Sequence, residues 1–233
     1  MVTTIDDVLD RMRAIQASLD PLDGVAVFNW VYQRVTEAVR DRLRTSFFAD
    51  PVFVEQFDVR FAKRYFAAVD ADAAGQRPDP AWRPLFARRA DRHIHAAQFA
   101  IAGLNTHINQ DLSLAFVDAC VAAGTHPRAG HIADDYQRVN DVIAEVEAEV
   151  RRELLNDLEE EIGAPFEPLL HLINTWSIAQ AREAAWVRIQ VLWVLRSEPW
   201  LFAQSVDATG RAVGMTSRHL LTPLLPAARR AVA

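Results

Sequence analysis

His107 and Asp111 lie four residues apart in a segment with helical periodicity, so their side chains can touch on one face of a helix. An imidazole that a carboxylate holds in one orientation can act as a general acid or base near neutral pH. The same pair could instead supply two ligands to one metal ion. We therefore predict His107 and Asp111 as catalytic residues, with His95 as a third candidate on the same segment.

The pair ends a segment without charged side chains, because no Asp, Glu, Lys or Arg occurs between Arg92 and Asp111. A helix without charges is typically buried all round, so His93–Cys120 is predicted as the central helix, either continuous or as two helices joined near Gly103. A buried polar group without a partner costs about 1–3 kcal/mol. The polar residues of this segment must therefore bond to protein, water, a metal or a ligand; they are His93, His95, Gln98, Asn105, His107 and Asn109.

On a helical wheel these residues sort into two sides, at about 100° per residue. One side carries His93, His107, Asp111 and, further along, Asp118. The other side carries a ladder of neutral donors and acceptors, which could position a polar substrate group or stabilise developing charge. The alternative is a hydrogen-bonded network that fixes the register of neighbouring helices. The ladder consists of His95, Gln98, Asn105 and Asn109.

A second charge-poor stretch lies in 166–196, predicted as one helix, where no charge occurs between Glu167 and Arg182. Two polar-bearing, charge-poor helices would pack together, with the site as a buried pocket between them. Arg182 is then expected to meet Asp111 or Asp118, as a structural ion pair or as an anion clamp. The candidate binding residues are Gln98, Asn105, Asn109, His171, Asn174, Arg182 and Trp30.

Composition restricts the partners and cofactors. The net charge of −6 argues against nucleic-acid binding, which needs a clustered basic face. Cys120 is the only cysteine, so neither an intramolecular disulfide nor a cysteine-based zinc site is expected, and a reducing cytoplasm is the natural compartment. No signal peptide and no apolar stretch of about 20 residues is found, which predicts no membrane partner. No cofactor is predicted, although histidines could hold zinc; no helical metal motif such as His-Glu-x-x-His is present.

Helical periodicity dominates the whole chain and strand alternation is nearly absent. Residues 1–233 are predicted to form one all-α domain, an orthogonal, irregular bundle of about seven to nine helices around the central buried helix. Asp50 before Pro51 predicts a helix start, followed by an aromatic stripe typical of core. Residues 134–161 are predicted as a long, heavily charged outer helix with an apolar stripe from Val139 to Leu154. The chain is expected to end with a short helix from Glu198 to about Gly210 and a last helix from Thr216.

A resemblance to a known family is carried by four stretches, DGVAVFNWVYQRVT, FFADPVFVEQFDVRFAKRYF, HIHAAQFAIAGLNTHINQDL and WSIAQAREAAW. They resemble an uncharacterised, mainly actinobacterial, all-helical domain-of-unknown-function family. The resemblance spans about residues 24–186, and its most recognisable element is Asn105-x-His107-x-Asn109-x-Asp111. It implies a helical fold and a bacterial source. It brings no established activity, so no catalytic role is carried over.

These observations predict a cytoplasmic small-molecule enzyme of bacterial metabolism, specialised metabolism included. Its buried His/Asn/Gln pocket would do acid–base chemistry such as isomerisation or cyclisation. Two alternatives stay open: a zinc-dependent, hydrolase-like metalloprotein, and a non-catalytic ligand-binding or structural helical protein. A small-molecule ligand is the expected partner.

Overall fold

A computed structural model describes residues 1–162 and 167–224 of the chain. Within these residues all regular structure is helical, which confirms the all-α prediction. They contain nine helices, of which the central one consists of two α-helical parts with a π-helical segment between them, and this agrees with the predicted count of about seven to nine. The elements are α1 (Ile5–Ser18), α2 (Gly24–Leu43), α3 (Pro51–Ala73), α4 (Arg83–Arg88), α5 (Ala96–Thr106), a π-helical segment (His107–Leu112), α6 (Ser113–Ala122), α7 (Gly130–Ile162), α8 (Glu167–Thr175), α9 (Ile178–Leu195) and α10 (Pro199–Leu220).

Side chains next to the helices account for where several of them begin. The Thr4 side chain accepts a hydrogen bond from the Asp7 backbone at the start of α1, in a capping box. Asp50 caps α3 in the same way, and Pro51 occupies the first turn, as predicted. Ser177 caps α9. Each cap satisfies backbone N–H groups that have no partner inside the helix.

The central helix runs without interruption through α5, the π segment and α6, and nearly all of its side chains are buried. Helices α2 and α10 pack against α5, while α3 and α9 pack against α6. Of the two predicted forms, the structure therefore has the continuous helix. Gly103 does not break it: its missing side chain admits the Phe28 ring, since a Cβ there would lie 2.3 Å from the Phe28 Cδ2 atom.

The long helix α7 buries the apolar stripe expected of it, with its charges on the other side. Arginines on α2 pair across to these charges, as Arg34 does with Glu149 at 2.8 Å. Nowhere in the described ranges is a helix both long and apolar enough to cross a membrane. The buried stripe consists of Val139, Val142, Ile143, Val146, Val150 and Leu154.

Two sequence-based boundaries are wrong. The helix predicted over 166–196 is interrupted at Trp176 and Ser177, where the Ser177 cap starts α9 as a new helix. The break expected near Gly210 does not occur, because α10 continues to Leu220. Gly210 and Gly214 face the 79–81 loop, and their lack of side chains serves close packing of an unbroken helix.

Gly214→Ala is expected to lower the free energy of unfolding by about 1–3 kcal/mol, as overpacked sites typically do. A Cβ at Gly214 would lie 2.4 Å from the Pro80 carbonyl oxygen, a backbone atom that cannot rotate away. Urea denaturation measures the change. Gly130→Ala is the matched control, since a Cβ there meets nothing within 4 Å; equal effects of the two substitutions would contradict the close approach of α10 to this loop.

Candidate functional site

The predicted contact between His107 and Asp111 is present inside the π segment. The His107 Nδ1 atom lies 2.9 Å from Asp111 Oδ2, and the two residues are only 2% and 4% exposed. The same oxygen accepts a hydrogen bond from Trp82 Nε1 at 2.9 Å. Because a carboxylate oxygen accepts, the imidazole proton lies on Nδ1 and the Nε2 atom is left as an acceptor.

The π segment determines what surrounds this pair. A π-helix hydrogen-bonds from residue i to i+5, and single π turns inside α-helices occur frequently at functional sites. Its wider turn changes the angular position of every later residue relative to α5. His107 and Asp111 contact α3 and the start of α4, whereas Asn109 and Gln110 contact α9 and α10.

Aromatic rings enclose the His107 imidazole. It stacks on Phe61 with ring centroids 3.6 Å apart and an angle of 8° between planes, and Tyr32 lies edge-on at 4.5 Å. Burial lowers the pKa of His107, and the hydrogen bond that its Nδ1–H donates to Asp111 opposes this only in part. The imidazole is therefore a neutral base near pH 7. The enclosing residues are Phe28, Tyr32, Phe61, Tyr65 and Trp82.

Among the buried polar atoms that lack a hydrogen-bond partner within the part of the chain that the structure describes are His107 Nε2 on the π segment, the Tyr32 hydroxyl on α2 and Asp58 Oδ2 on α3. Burial raises the pKa of Asp58 to about 7, with a smaller contribution from the charge of Glu55. Burial also raises the pKa of Tyr32, and the charges of Asp58 and Asp111 raise it further. Tyr32 connects the oriented imidazole, against which its ring lies, with Asp58, whose charge acts on the Tyr32 hydroxyl, and both Tyr32 and Asp58 can hold a proton at neutral pH. We call His107, Asp111, Tyr32 and Asp58 the His107 site.

A family model described as a family of unknown function, DUF5995, matches residues 5–223. The chain belongs to this family. No curated protein and no solved structure matches the chain. The matched range contains the whole His107 site, so the site is part of the domain that defines DUF5995 proteins.

Two residues expected on the same side as His107 lie elsewhere in this DUF5995 chain. His93 precedes α5, is exposed, and contacts Asp91 at 3.1 Å. Asp118 forms a half-exposed ion pair with Arg64 of α3. The helical wheel places these residues together only if one regular α-helix runs from His93 to Asp118. In the structure the helix begins at Ala96, and the π segment changes the angular position of Asp118.

The structure also separates His95 from His107. His95 is the N-cap of α5, where its Nδ1 accepts a hydrogen bond from the Ala97 backbone at 3.1 Å. Twelve residues of helix place it about 18 Å from His107 along the axis. Gln98 completes the capping box and donates to the backbone carbonyls of Leu220 and Thr222, at 2.8 and 2.7 Å. His95 therefore does not join the His107 site.

The amides of the predicted ladder bond to each other and to α10. Asn105 Nδ2 donates to the Ser217 hydroxyl at 3.0 Å, and Asn109 Nδ2 donates to Asn105 Oδ1 at 3.0 Å. Thr106 also contacts the Ser217 hydroxyl, at 3.0 Å. Asn105 and Asn109 are thus neighbours in the predicted ladder, and the bonds of Gln98 and Asn105 hold the end of α10 and the residues after it against the central helix.

The binding residues predicted outside the central helix lie away from the His107 site. His171 and Asn174 are exposed on α8. Trp30 is half-buried and packs against the Arg34 guanidinium, 5.3 Å from its ring centroid. The placement of His171 and Asn174 follows from the interruption before Ser177, which separates α8 from α9, because α9 is the helix that packs against the π segment.

The predicted contact of Arg182 with Asp111 or Asp118 is wrong. Arg182 is buried, donates to Asn140 and to the Tyr136 carbonyl, and lies over the Tyr136 ring at 4.4 Å. It therefore joins α9 to α7. Arg188, six residues later on another face of α9, is the arginine that reaches the π segment, with Nη1 3.4 Å from the Asn109 carbonyl.

The alternative of a zinc-dependent protein requires a group of metal ligands, and residues 1–162 and 167–224 contain none. There, no three His, Cys, Asp or Glu side chains lie close enough together to hold a metal ion. His95 and His107, about 18 Å apart along the helix axis, are too far apart to bind one metal ion together.

Proposed function

We propose that this DUF5995 protein is a small-molecule enzyme in which the His107 site does acid–base chemistry such as isomerisation or cyclisation. One observation carries the proposal: His107 Nε2 is buried without a hydrogen-bond partner in the described residues, on an imidazole that Asp111 orients. Leaving a buried acceptor unpaired costs free energy. An unpaired buried atom on a side chain whose pKa is shifted, as the pKa of His107 is lowered by burial, is typical of groups that act on a substrate.

Each residue of the site has a definite part in this chemistry. The His107 Nε2 atom accepts a proton from a substrate carbon or hydroxyl, and the Asp111 carboxylate stabilises the imidazolium that forms. Asp58, whose pKa is raised to about 7, can donate a proton to an oxygen that becomes negative. The Tyr32 hydroxyl is a second donor. The proton that His107 removes can return to another atom of the substrate, so the reaction requires no electron acceptor.

The enclosing aromatic rings indicate the kind of substrate. Phe28, Phe61 and Trp82 exclude water and offer only apolar surface to a molecule beside Nε2. A low-dielectric site strengthens the interaction of the acid and base with developing charge. The substrate we expect is small, largely uncharged at its reacting end, and carries a carbonyl or hydroxyl group.

His107→Gln is expected to slow the reaction by about 100- to 10,000-fold, the usual contribution of a general base. The assay incubates the protein with a bacterial metabolite extract in D₂O and uses mass spectrometry to find compounds that gain deuterium or change structure. His171→Gln, which replaces an exposed histidine on α8, is the matched control and should match the unmodified protein. If the extract treated with the unmodified protein is indistinguishable from that treated with His107→Gln, the enzymatic proposal fails.

A non-catalytic role is the second candidate. It is favoured by the bonds of Gln98, Asn105 and Asn109, which connect polar groups of the central helix within the protein. If this role is correct, His107→Gln changes only the free energy of unfolding. The D₂O assay therefore separates the two candidates.

The cytoplasm of a bacterium is the compartment that we propose. Cys120, the only cysteine, is buried, and burial raises the pKa of its thiol to about 12, which keeps it unreactive. A chain that neither needs a disulfide nor exposes a reactive thiol fits a reducing compartment.

A further inference from the structure

Arg188 of α9 carries a buried charge for which no ion pair is found among the described residues. Its Nε and Nη2 atoms are buried and have no hydrogen-bond partner there, while Nη1 lies 3.4 Å from the Asn109 carbonyl. Burial lowers the pKa of Arg188 to about 10, and the charges of Asp79 and Asp111 oppose this. Two buried N–H groups of a charged side chain without an acceptor are costly, and a bound anion would relieve that cost.

The geometry of the guanidinium selects the anion. Nε and Nη2 lie on one edge of the planar group, so their N–H bonds form a fork that matches the two oxygens of a carboxylate. The Nη1 atom, on the other side, is the one that reaches the Asn109 carbonyl. Arg188 is thus held by the π segment through one nitrogen while its bidentate edge is unused.

Two further buried side-chain atoms without a hydrogen-bond partner in the described part of the chain belong to residues within about one helical turn of Asn109 on the central helix. Gln110 is 1% exposed and Ser113 is 0% exposed, and the Gln110 Oε1 and Ser113 Oγ atoms have no hydrogen-bond partner in the described ranges. Gln110 follows Asn109 directly, and Ser113 lies about one turn further on. At Gly210 of α10 a Cβ would lie 3.1 Å from Gln110 Nε2. The glycine therefore lets α10 pass close to this polar cluster.

We propose that Arg188 binds the carboxylate of a small organic acid, with the Ser113 hydroxyl as a further donor and the Gln110 carbonyl oxygen accepting from a hydroxyl or amine of the ligand. A monoanion suits the cluster better than a phosphate dianion, because the neighbouring carboxylates of Asp79 and Asp111 repel a second negative charge. The inference goes beyond the proposed function, since a carboxylate can bind here whether or not the His107 site turns over a substrate.

The test measures thermal unfolding and calorimetric binding with acetate, L-lactate, succinate and inorganic phosphate, at an ionic strength held constant with NaCl. We expect at least one carboxylate to raise the unfolding temperature in a concentration-dependent way and to bind more tightly than phosphate. Arg188→Gln should weaken that binding at least about tenfold, the loss expected for a charge-assisted pair. Arg196→Gln, which replaces an exposed arginine just after α9, should leave it unchanged.

The proposal is overturned if no carboxylate binds, if phosphate binds more tightly than every carboxylate, or if Arg188→Gln binds as the unmodified protein does. Should Arg188→Gln fail to fold, the ¹⁵Nε resonance of Arg188 in the unmodified protein decides: it must move on addition of the tightest carboxylate, and a static resonance refutes the assignment. The two proposals can fail separately. If His107→Gln still binds the carboxylate and the unmodified protein exchanges no deuterium into any compound, the enzymatic proposal is refuted and the carboxylate site is supported.

Discussion

Asp111→Ala is expected to lower the free energy of unfolding by about 3–5 kcal/mol, the usual cost of removing one partner from a buried polar pair. Asp111 Oδ2 accepts from both Trp82 Nε1 and His107 Nδ1, at 2.9 Å each. Without the carboxylate, two donors that are almost completely buried have lost their acceptor, at about 1–3 kcal/mol each. Urea denaturation at pH 7.5, followed by tryptophan fluorescence, measures the loss.

Asp118→Ala is the matched control, because Asp118 lies on the same central helix but in a half-exposed pair with Arg64. Such a pair contributes about 0–1 kcal/mol. Asp111→Asn should fall between the two, since its amide oxygen can accept in place of Oδ2 but lacks the charge that makes a carboxylate the stronger acceptor. If Asp111→Ala costs no more than Asp118→Ala, the carboxylate does not hold the imidazole and the orientation of His107 has another source.

The parts of the fold that local chemistry determines could be predicted from the sequence. The absence of charge between Arg92 and Asp111 predicts a buried central helix, because an uncharged helix has no face suited to water. The cap of Asp50 on α3 and the apolar stripe of α7 follow in the same way from residues close in sequence. The contact between His107 and Asp111 also belongs here, since four residues of helix suffice to make it.

The rest of the fold and of the candidate site depends on features that no local sequence pattern specifies. The π segment contains neither glycine nor proline, and its extra residue per turn moved Asp118 away from His107. The interruption before Ser177 turned α9 so that Arg182 meets α7 and Arg188 meets the central helix. Both are set by how helices pack together, which a helical wheel drawn for one straight helix does not contain.

The aromatic stripe of α3 was predicted as core and is core, yet the same rings enclose the His107 imidazole. Apolar residues that fill a core and those that line a site have the same spacing, so periodicity cannot separate them. One signal was available: Val54, Asp58, Phe61 and Tyr65 follow each other at intervals of four, three and four residues. An aspartate at a position of that buried series marks an ionisable group inside the protein.

Hydrogen-bond partners divide the buried polar residues into two groups. Gln98 and Asn105 bond to α10, and their bonds account for their burial. His107, Asp58 and Arg188 keep buried atoms without a partner among the described residues. A group of the second kind lowers the stability of the fold, and this cost is the physical reason for which we propose that His107 and Arg188 meet a substrate or ligand.

Asp58→Asn is expected to raise the free energy of unfolding at pH 8 by up to about 4 kcal/mol. The pKa of Asp58 is raised from 3.8 to about 7 in the folded protein, so the folded carboxyl keeps its proton over a range in which the unfolded chain has lost it. Stability therefore falls as the pH rises from about 4 to 7, by about 1.4 kcal/mol for each unit of the pKa shift. Asparagine keeps the shape of the side chain and cannot ionise, so the loss disappears.

The measurement is urea denaturation of both proteins at intervals from pH 4 to pH 8. The difference between them should be small near pH 4, grow through the interval and level off above pH 7. The lowered pKa of His107 makes both proteins less stable as the pH falls below about 6.5, and it cancels in the difference. A difference that is independent of pH would mean that Asp58 is charged in the folded protein at neutral pH. In that case Asp58 could not donate a proton to the substrate. The opposite result is an Asp58→Asn protein that is more stable than the unmodified protein and no longer exchanges deuterium into a substrate. It would show that the Asp58 carboxyl serves the reaction and destabilises the fold.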